Sequence, residues 1–162
     1  MATITLDGKT LVTWVATADG IADINAPTVA ELNAGTALTD YITPDGLAFP
    51  ATTGKIDNSN LGSTFTTQTN GRRSFDPMIK FHRTSATADV VRTIMVYGAT
   101  GWIVIRRGVL KGTAWTANQE CQVYPVEVGE PSIPASSAEQ NWDMEVPMTV
   151  SADPSTLATV VA

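Results

Sequence analysis

Ile24 to Ile42, INAPTVAELNAGTALTDYI, is the stretch that decides how the rest of the chain must be arranged. Pro27 suits the first position of a helix, where its missing N–H costs nothing. Thr28 and Glu31 have the spacing of a capping box, in which each side chain satisfies the other residue's orphan backbone N–H. The two readings differ by one residue in where the helix begins, and both stand at this point. Val29 and Leu32 give it a narrow apolar stripe, and Gly35 is expected to end it in the left-handed conformation. Two helical turns cannot hold alone in water. The helix must therefore lie on something, and its surroundings read as strands.

Before it, Thr10 to Thr17 reads as a strand with Val12, Trp14 and Ala16 on one face, and Asp19-Gly20 turns the chain into the helix. After it, residues 43–60 are rich in Pro, Gly, Ser, Thr, Asn and Asp, with Phe49 and Ile56 as the few apolar anchors. They read as a long polar connection, of the kind that is functional or mobile. Leu61 to Thr69 is strand-prone with hydroxyl-bearing faces, and Asn70-Gly71 is a hairpin turn signal. Met78 to Thr84 reads as a strand. From Ala86 to Tyr97, Val90, Val91, Ile94 and Met95 recur at helical spacing with Gly98 placed to end a helix; a strand over 90–97 is the alternative. Trp102 to Arg107 is a short, largely apolar run expected as a central strand. Cys121 to Val128 is another strand, in which Pro125 implies an edge or a bulge. Gly129 to Ser137 reads as extended loop. Trp142 to Val150 alternates cleanly, with Trp142, Met144, Val146, Met148 and Val150 facing one way and Asp143, Glu145, Pro147 and Thr149 the other. No internal repeat is visible.

The chain's 162 residues fit one domain with a sizeable core. Its net charge of −6 argues against nucleic-acid binding as the main task. That charge is segregated. Residues 1–71 hold seven acids and two bases, residues 72–111 hold eight bases and two acids, and residues 112–162 hold seven acids with no Lys or Arg. Such blocks can pair within a domain or between copies of it. The single Cys121 cannot form an internal disulfide, which fits synthesis in a reducing cytoplasm. No apolar run has the length to cross a bilayer and no signal peptide opens the chain, so no membrane partner is expected.

A search for chemistry returns nothing that amounts to an active site. His82 is the only histidine, and a structural or surface role suits it better than catalysis. Cys121 has no local base to activate it. Asp143 and Glu145 have the look of a carboxylate pair but fit solvated charge on the polar face of a strand. GATG at 98–101 lacks the lysine and spacing of a phosphate loop. Trp102 and Trp115 read as core or interface packing. No catalytic residue, metal site or cofactor is expected.

Three passages carry a resemblance to a known family: APTVAELNAGTALT (26–39), MVYGATGWIVIRRG (95–108) and QVYPVEVGEP (122–131). In that order and spacing they resemble major tail tube proteins of long-tailed bacteriophages, especially those infecting actinobacteria. The resemblance runs from about Thr10 to Val150. It implies a mainly β, sandwich or barrel-like domain over 1–150, with one or two short helices and 151–162 as a C-terminal tail or a clip onto a neighbour. It further implies a virion protein made in the host cytoplasm, forming hexameric rings that stack into a tube and complete a continuous β-barrel around the DNA channel. The other tail proteins (tape measure, terminator and distal tail proteins) are the implied partners, with DNA passing unbound. A non-polymerising connector or terminator ring and a carbohydrate-binding β-sandwich are the alternatives.

Three sets of residues are expected to serve such an assembly. Asp45, Phe49, Lys55, Ile56 and Asp57 on the polar connection are candidates for reaching a neighbouring copy. Ser63, Thr64, Thr66 and Gln68, with Asp143 and Glu145, are candidates for a hydroxyl-rich, acidic channel wall. Arg72, Arg73, Arg106 and Arg107 are candidates for meeting acidic residues across ring interfaces.

Overall fold

The computed structural model describes residues 5–84, 89–135 and 141–162. The first strand, β1 (Thr10–Ala16), buries both of its faces. It leads through a turn at Gly20, whose φ is +67°, to helix α1 (Val29–Ala34). Thr28 is the N-cap: its hydroxyl accepts from the Glu31 N–H at 3.2 Å, and the Glu31 carboxylate accepts from the Thr28 N–H at 2.7 Å. Pro27 therefore precedes the cap. Gly35 does not take the expected left-handed turn, since its φ is −74°. Glycine is needed there for closeness: a Cβ would lie 2.6 Å from Thr13 Cγ2 and 2.7 Å from the Trp14 carbonyl oxygen, so the helix could not end against β1. Leu32, fully buried, supplies the apolar contact, a burial of about 1.5–3 kcal/mol that the short helix cannot replace by propensity.

The chain then runs through β2 (Thr36–Ala37), a 3-10 turn (Thr39–Tyr41), β3 (Ile42–Ala48), β4 (Ala51–Asp57), β5 (Gln68–Phe75), β6 (Met78–His82), helix α2 (Val90–Ile94), β7 (Thr100–Arg107), β8 (Glu120–Val128), β9 (Asp143–Val150) and β10 (Ser155–Thr159). The main sheet has the order β2-β1-β7-β8-β9-β6-β3, with β10 added to β8, and each neighbouring pair is antiparallel. Laid flat, seven strands would span roughly 29 Å. Yet β2 and β3, its two margins, are joined through Leu38–Tyr41 alone, which can reach at most about 18 Å. The sheet must curl until its margins approach, and it does so without their pairing. The result is barrel-like, and the single chain does not close it.

The inside of the curl holds Val12, Trp14, Ile103, Ile105, Val126, Met144, Val146, Ile79 and Phe81, plugged by Leu38 and by Val91 and Met95 from α2. The outside of β1, β7 and β8 carries a second core of Leu11, Val15, Val104, Cys121 and Val123 under Leu32, Trp115 and Val160. Residues 151–162, expected as a tail, carry β10 and a bridge from Val161 back to Thr28. The Val29 N–H donates to the Val161 carbonyl at 3.0 Å.

Several expectations are corrected. The polar connection over 43–60 is mostly strand, β3 and β4. Leu61 to Thr67 is not strand but the loop joining β4 to β5, and Asn70-Gly71 lies inside β5 rather than at the turn. There, Gly71 and Arg72 oppose the single Gly54, so the glycine-bearing step absorbs a bulge. The helical reading of 86–97 holds as the shorter α2; its expected start at 86–88 lies outside the described residues, as does the end of the 129–137 loop. Gly98, with φ +78°, turns the chain into β7, while α2 has already ended at the Met95 cap. Pro125 sits in the interior strand β8, at the point where β8 changes partner from β10 to β9, so its missing donor leaves no gap in a ladder.

Candidate assembly surfaces

Pro77, opposite Phe49, and Pro50, opposite Asp76, interrupt the ladder at neighbouring rungs, where the Asp76 N–H donates to the Pro50 carbonyl at 3.2 Å. Below this break β3 and β6 pair within the main sheet; above it β4 and β5 continue as a separate two-stranded ribbon. Every residue of β4 is exposed. Phe49 and Phe75 anchor the ribbon's root on the Tyr124 ring, with centroids at 4.6 and 5.6 Å. Arg73 ties the root to Asp153 at 2.7 Å.

The tip is ordered by its own short polar side chains. The Ser59 N–H donates to Asp57 Oδ1 at 2.8 Å, Gly62 to Asn60 Oδ1 at 3.0 Å and Thr67 to Ser59 Oγ at 3.0 Å. Hydrogen bonding with Ser59, from both its hydroxyl and its N–H, holds the Asp57 carboxyl below its ordinary range. Held outward on this loop are Leu61, fully exposed, and Phe65, 77% exposed.

The other end of β6 carries a cleft of about 580 Å³. Its walls come from the residue after β6 (Arg83), from α2 and the turn behind it (Arg92, Met95, Val96, Tyr97), from the segment after β8 (Glu130, Pro131, Ile133) and from the start of β9 (Trp142, Met144). Trp142, expected to face the core, is half exposed instead and lies under the Arg83 guanidinium, 4.0 Å from its ring centroid. The Arg83 side chain is only 6% exposed; its Nε donates to Asp89 Oδ2 at 2.8 Å, and Asp89 also caps α2 through the Arg92 N–H. Arg83 Nη2 is buried and has no hydrogen-bond partner among the described residues.

On the outward face of β6 and β9, Lys80 stands opposite Glu145 and His82 opposite Asp143. Asp143 accepts from His82 Nδ1 at 2.7 Å and approaches Lys80 Nζ at 3.4 Å. Asp143 and Glu145 thus share one polar sheet face, whereas Ser63, Thr64 and Thr66 stand on the ribbon tip and Gln68 begins β5. The expected channel set is two separate groups.

Arg106 is no interface charge. It is 1% exposed and its guanidinium donates to the carbonyls of Ala114 (3.2 Å), Leu110 (3.1 Å) and Thr113 (2.7 Å) and to Gln119 Oε1 (2.8 Å), over the Trp115 ring. It builds the β7–β8 connection from inside, and burial presses its guanidinium below its ordinary value. Arg107, exposed, reaches Gln122 at 2.8 Å. Arg72 is exposed on β5 without an ion pair among the described residues. Of the ribbon-side candidates, Lys55, Ile56 and Asp57 are exposed on β4, Phe49 belongs to the body through Tyr124, and Asp45 accepts from the Thr43 hydroxyl at 3.1 Å. The charge blocks partly pair within the chain, through Arg73–Asp153, Lys80–Asp143 and Lys111–Asp40.

Burial raises the Cys121 thiol to about 11, so it is inert. Among the described residues no group of three or more His, Cys, Asp and Glu is placed to hold a metal ion, and no helix is long and apolar enough to cross a membrane.

The cleft and the tip escaped the sequence reading. The cleft gathers four separated pieces of chain, which no single window displays. For the tip a signal existed: Leu61 and Phe65 are apolar residues in a stretch whose other side chains are mostly hydroxyls.

Comparison with known proteins agrees with this architecture. The family model described as phage tail tube protein matches residues 1–162. No curated protein matches the chain. Among solved structures, a chain of the cryo-EM structure of the anti-feeding prophage (AFP) baseplate, 6-fold symmetrised, is similar in fold, with a TM-score of 0.58 and 11% identity over 95% of each chain.

Proposed function

The chain belongs to the phage tail tube protein family, and from that premise we propose that its copies close into hexameric rings that stack head to tail as the tube through which DNA passes to the host. A structural role in the phage tail comes with the family itself. The observation that carries the finer reading is the curled sheet with unpaired margins. Among the described residues no strand pairs with the outer edge of β3. An exposed edge is a template for another chain, and closure across copies removes it. The likeness in fold to a chain from a 6-fold symmetrised assembly supports six copies per ring. Head-to-tail stacking is the heterologous contact that produces an open filament. The tape measure, terminator and distal tail proteins would meet the tube along its lumen and at its two ends.

The channel wall is the outward face of β6 and β9, bearing Asp143, Glu145 and Thr149 with Lys80 and His82. A strongly basic wall would neutralise phosphates, release counterions and hold the duplex. A polar wall whose few cations, Lys80 and His82, are paired with the Asp143 carboxylate holds the duplex less, and its further carboxylate, Glu145, repels DNA with a reach of roughly 8 Å at physiological salt. Arg72 and Arg107 are the remaining candidates for contacts between copies.

Electron microscopy of the purified chain at rising concentration tests the reading. Tubes of stacked six-membered rings are expected, with the β6–β9 face on the lumen. A persistent monomer, a ring that never stacks, or a lumen dominated by Arg72, Arg73 or Arg107 would overturn it.

A further inference from the structure

The two margins of the curl belong to consecutive pieces of chain. β2 pairs with β1 only at Thr13 and Trp14, the Leu38 N–H still donates to the Val12 carbonyl at 2.8 Å, and from Ile42 onward the chain pairs with β6. The first half of β1 is left with no strand on that side. Lys9 turns its carbonyl toward β7, where it accepts from the Gly108 N–H at 2.8 Å. By alternation Thr10, like Val12, turns its N–H and carbonyl away from β7. Between this bare edge and β3 lies a groove of about 430 Å³, with Leu6, Asp7 and Thr10 on one side and Ile42, Pro44 and Leu47 on the other. Every neighbouring pair round the sheet is antiparallel, so β3 runs in the direction of β2, antiparallel to β1. A straight β3 would have the right sense to zip the curl shut.

What stands in the way is a bulge. Ile42 lies opposite Phe81 and Leu47 opposite Ile79, so Thr43, Pro44, Asp45 and Gly46 all face the single Lys80. Five residue steps that could reach about 17 Å cover two steps of β6, about 7 Å, and the surplus must leave the line of the strand. The excursion is tightly made. Thr43 is buried, and its hydroxyl donates to Asp45 Oδ1 at 3.1 Å. A Cβ on Gly46 would strike that hydroxyl and lie 2.5 Å from the Lys80 carbonyl oxygen, so only glycine lets the bulge fold against β6. Pro44, exposed and with no N–H to offer, lines the groove. We propose that the Thr43–Gly46 bulge is a wedge that keeps the chain from closing its own curl onto β1. The wedge follows from the fold alone; its use, to leave the margins open for other copies, rests on the self-assembly reading above. A chain closed on itself would lose the unpaired edges that invite a neighbour.

Shortening the bulge tests this, because the pairs on either side of it keep their register. Removal of Pro44 and Asp45 leaves Thr43 and Gly46 opposite Lys80, an ordinary two-for-one bulge. Removal of Pro44, Asp45 and Gly46 leaves Thr43 alone there, a regular rung. Hydrogen exchange at the Thr10 N–H, measured on dilute, unassembled chains, should slow about tenfold in the shortened chains, the net worth of roughly one added ladder bond. Their melting temperature should rise and their polymerisation should be lost. Pro44→Ala, which keeps the bulge at full length, should leave the Thr10 exchange as it is. The milder deletion decides the matter if the longer one does not fold. Unchanged Thr10 exchange in every shortened chain that folds overturns the wedge, whether or not the unaltered chain forms tubes. Loss of folding in both overturns it too, since the bulge would then be a requirement of the body. Slowed exchange with undiminished tubes upholds the wedge and overturns the part given to these margins in assembly.

Discussion

The curled body and the ribbon are built from the same kind of strand pair, yet they are held by different forces. In the body, β6 pairs on both sides, and Ile79 and Phe81 are completely buried in the core. In the ribbon, β4 and β5 pair only with each other, and no residue of β4 is buried. A lone two-stranded pair is marginal in water. The ribbon keeps its shape through ladder bonds, the Tyr124 contacts at its root and the polar turns at its tip. The two regions divide the labour: the body owns the stability, and the ribbon is free to be selected for what it touches.

The sharpest way to break that contrast is to cut the core. Phe81→Ala should cost about 3–5 kcal/mol in denaturant unfolding. A loss below about 1 kcal/mol would mean the curl is not the stabilising unit.

A finer comparison sets two carboxylates against each other. Burial raises the Glu31 pKa, but hydrogen bonds with the Thr28 and Ala22 N–H groups and the Thr28 side chain outweigh it, and the net shift is below the ordinary 4.5. A lowered folded-state value means a stabilising contribution that is complete above about pH 4.5 and lost as pH falls through the folded value. Glu31→Gln should therefore cost about 0.5–1 kcal/mol at pH 7, and the difference from the unaltered chain should vanish well below pH 4. Asp57 is also held low, but it is fully exposed on the ribbon. Asp57→Asn should leave the unfolding curve unmoved at either pH.

Even a large excision from the ribbon should cost the body little stability. Replacing 52–74 by a short glycine linker should leave the melting temperature within a few degrees while abolishing polymerisation. The boundaries matter: a cut over 45–58 would remove the end of β3 and Phe49 from the body, and its failure would teach nothing about the ribbon. A large fall in melting temperature from the 52–74 excision would show that the two regions are not separable.

The features legible in the sequence were local. The Thr28–Glu31 box needs only its own four residues, and the alternation of β9 states its buried face from Met144 to Met148 without reference to any partner. The apolar run of β7 announced a central strand for the same reason. The expectations that failed depended on distant neighbours. Gly35 is required by the nearness of β1 and not by its own turn. The Asn70-Gly71 turn is overruled because the register is set at the Pro50 and Pro77 break and by the Asp57–Gly62 turns. Arg106 was grouped with Arg107 by adjacency, although alternation along β7 puts it with Val104, on the face that Trp115 covers. β4 escaped because it has no apolar face at all, so hydrophobic period could not reveal it.

Pro50 and Pro77 together have one more consequence. Their rings clamp φ near −65° on both rails, at neighbouring rungs, so part of the angle at which the arm leaves its platform is written into covalent geometry. Neither salt nor acidity can retune it. Every copy of the chain therefore carries the same two fixed torsions at its elbow, whatever the solution around it.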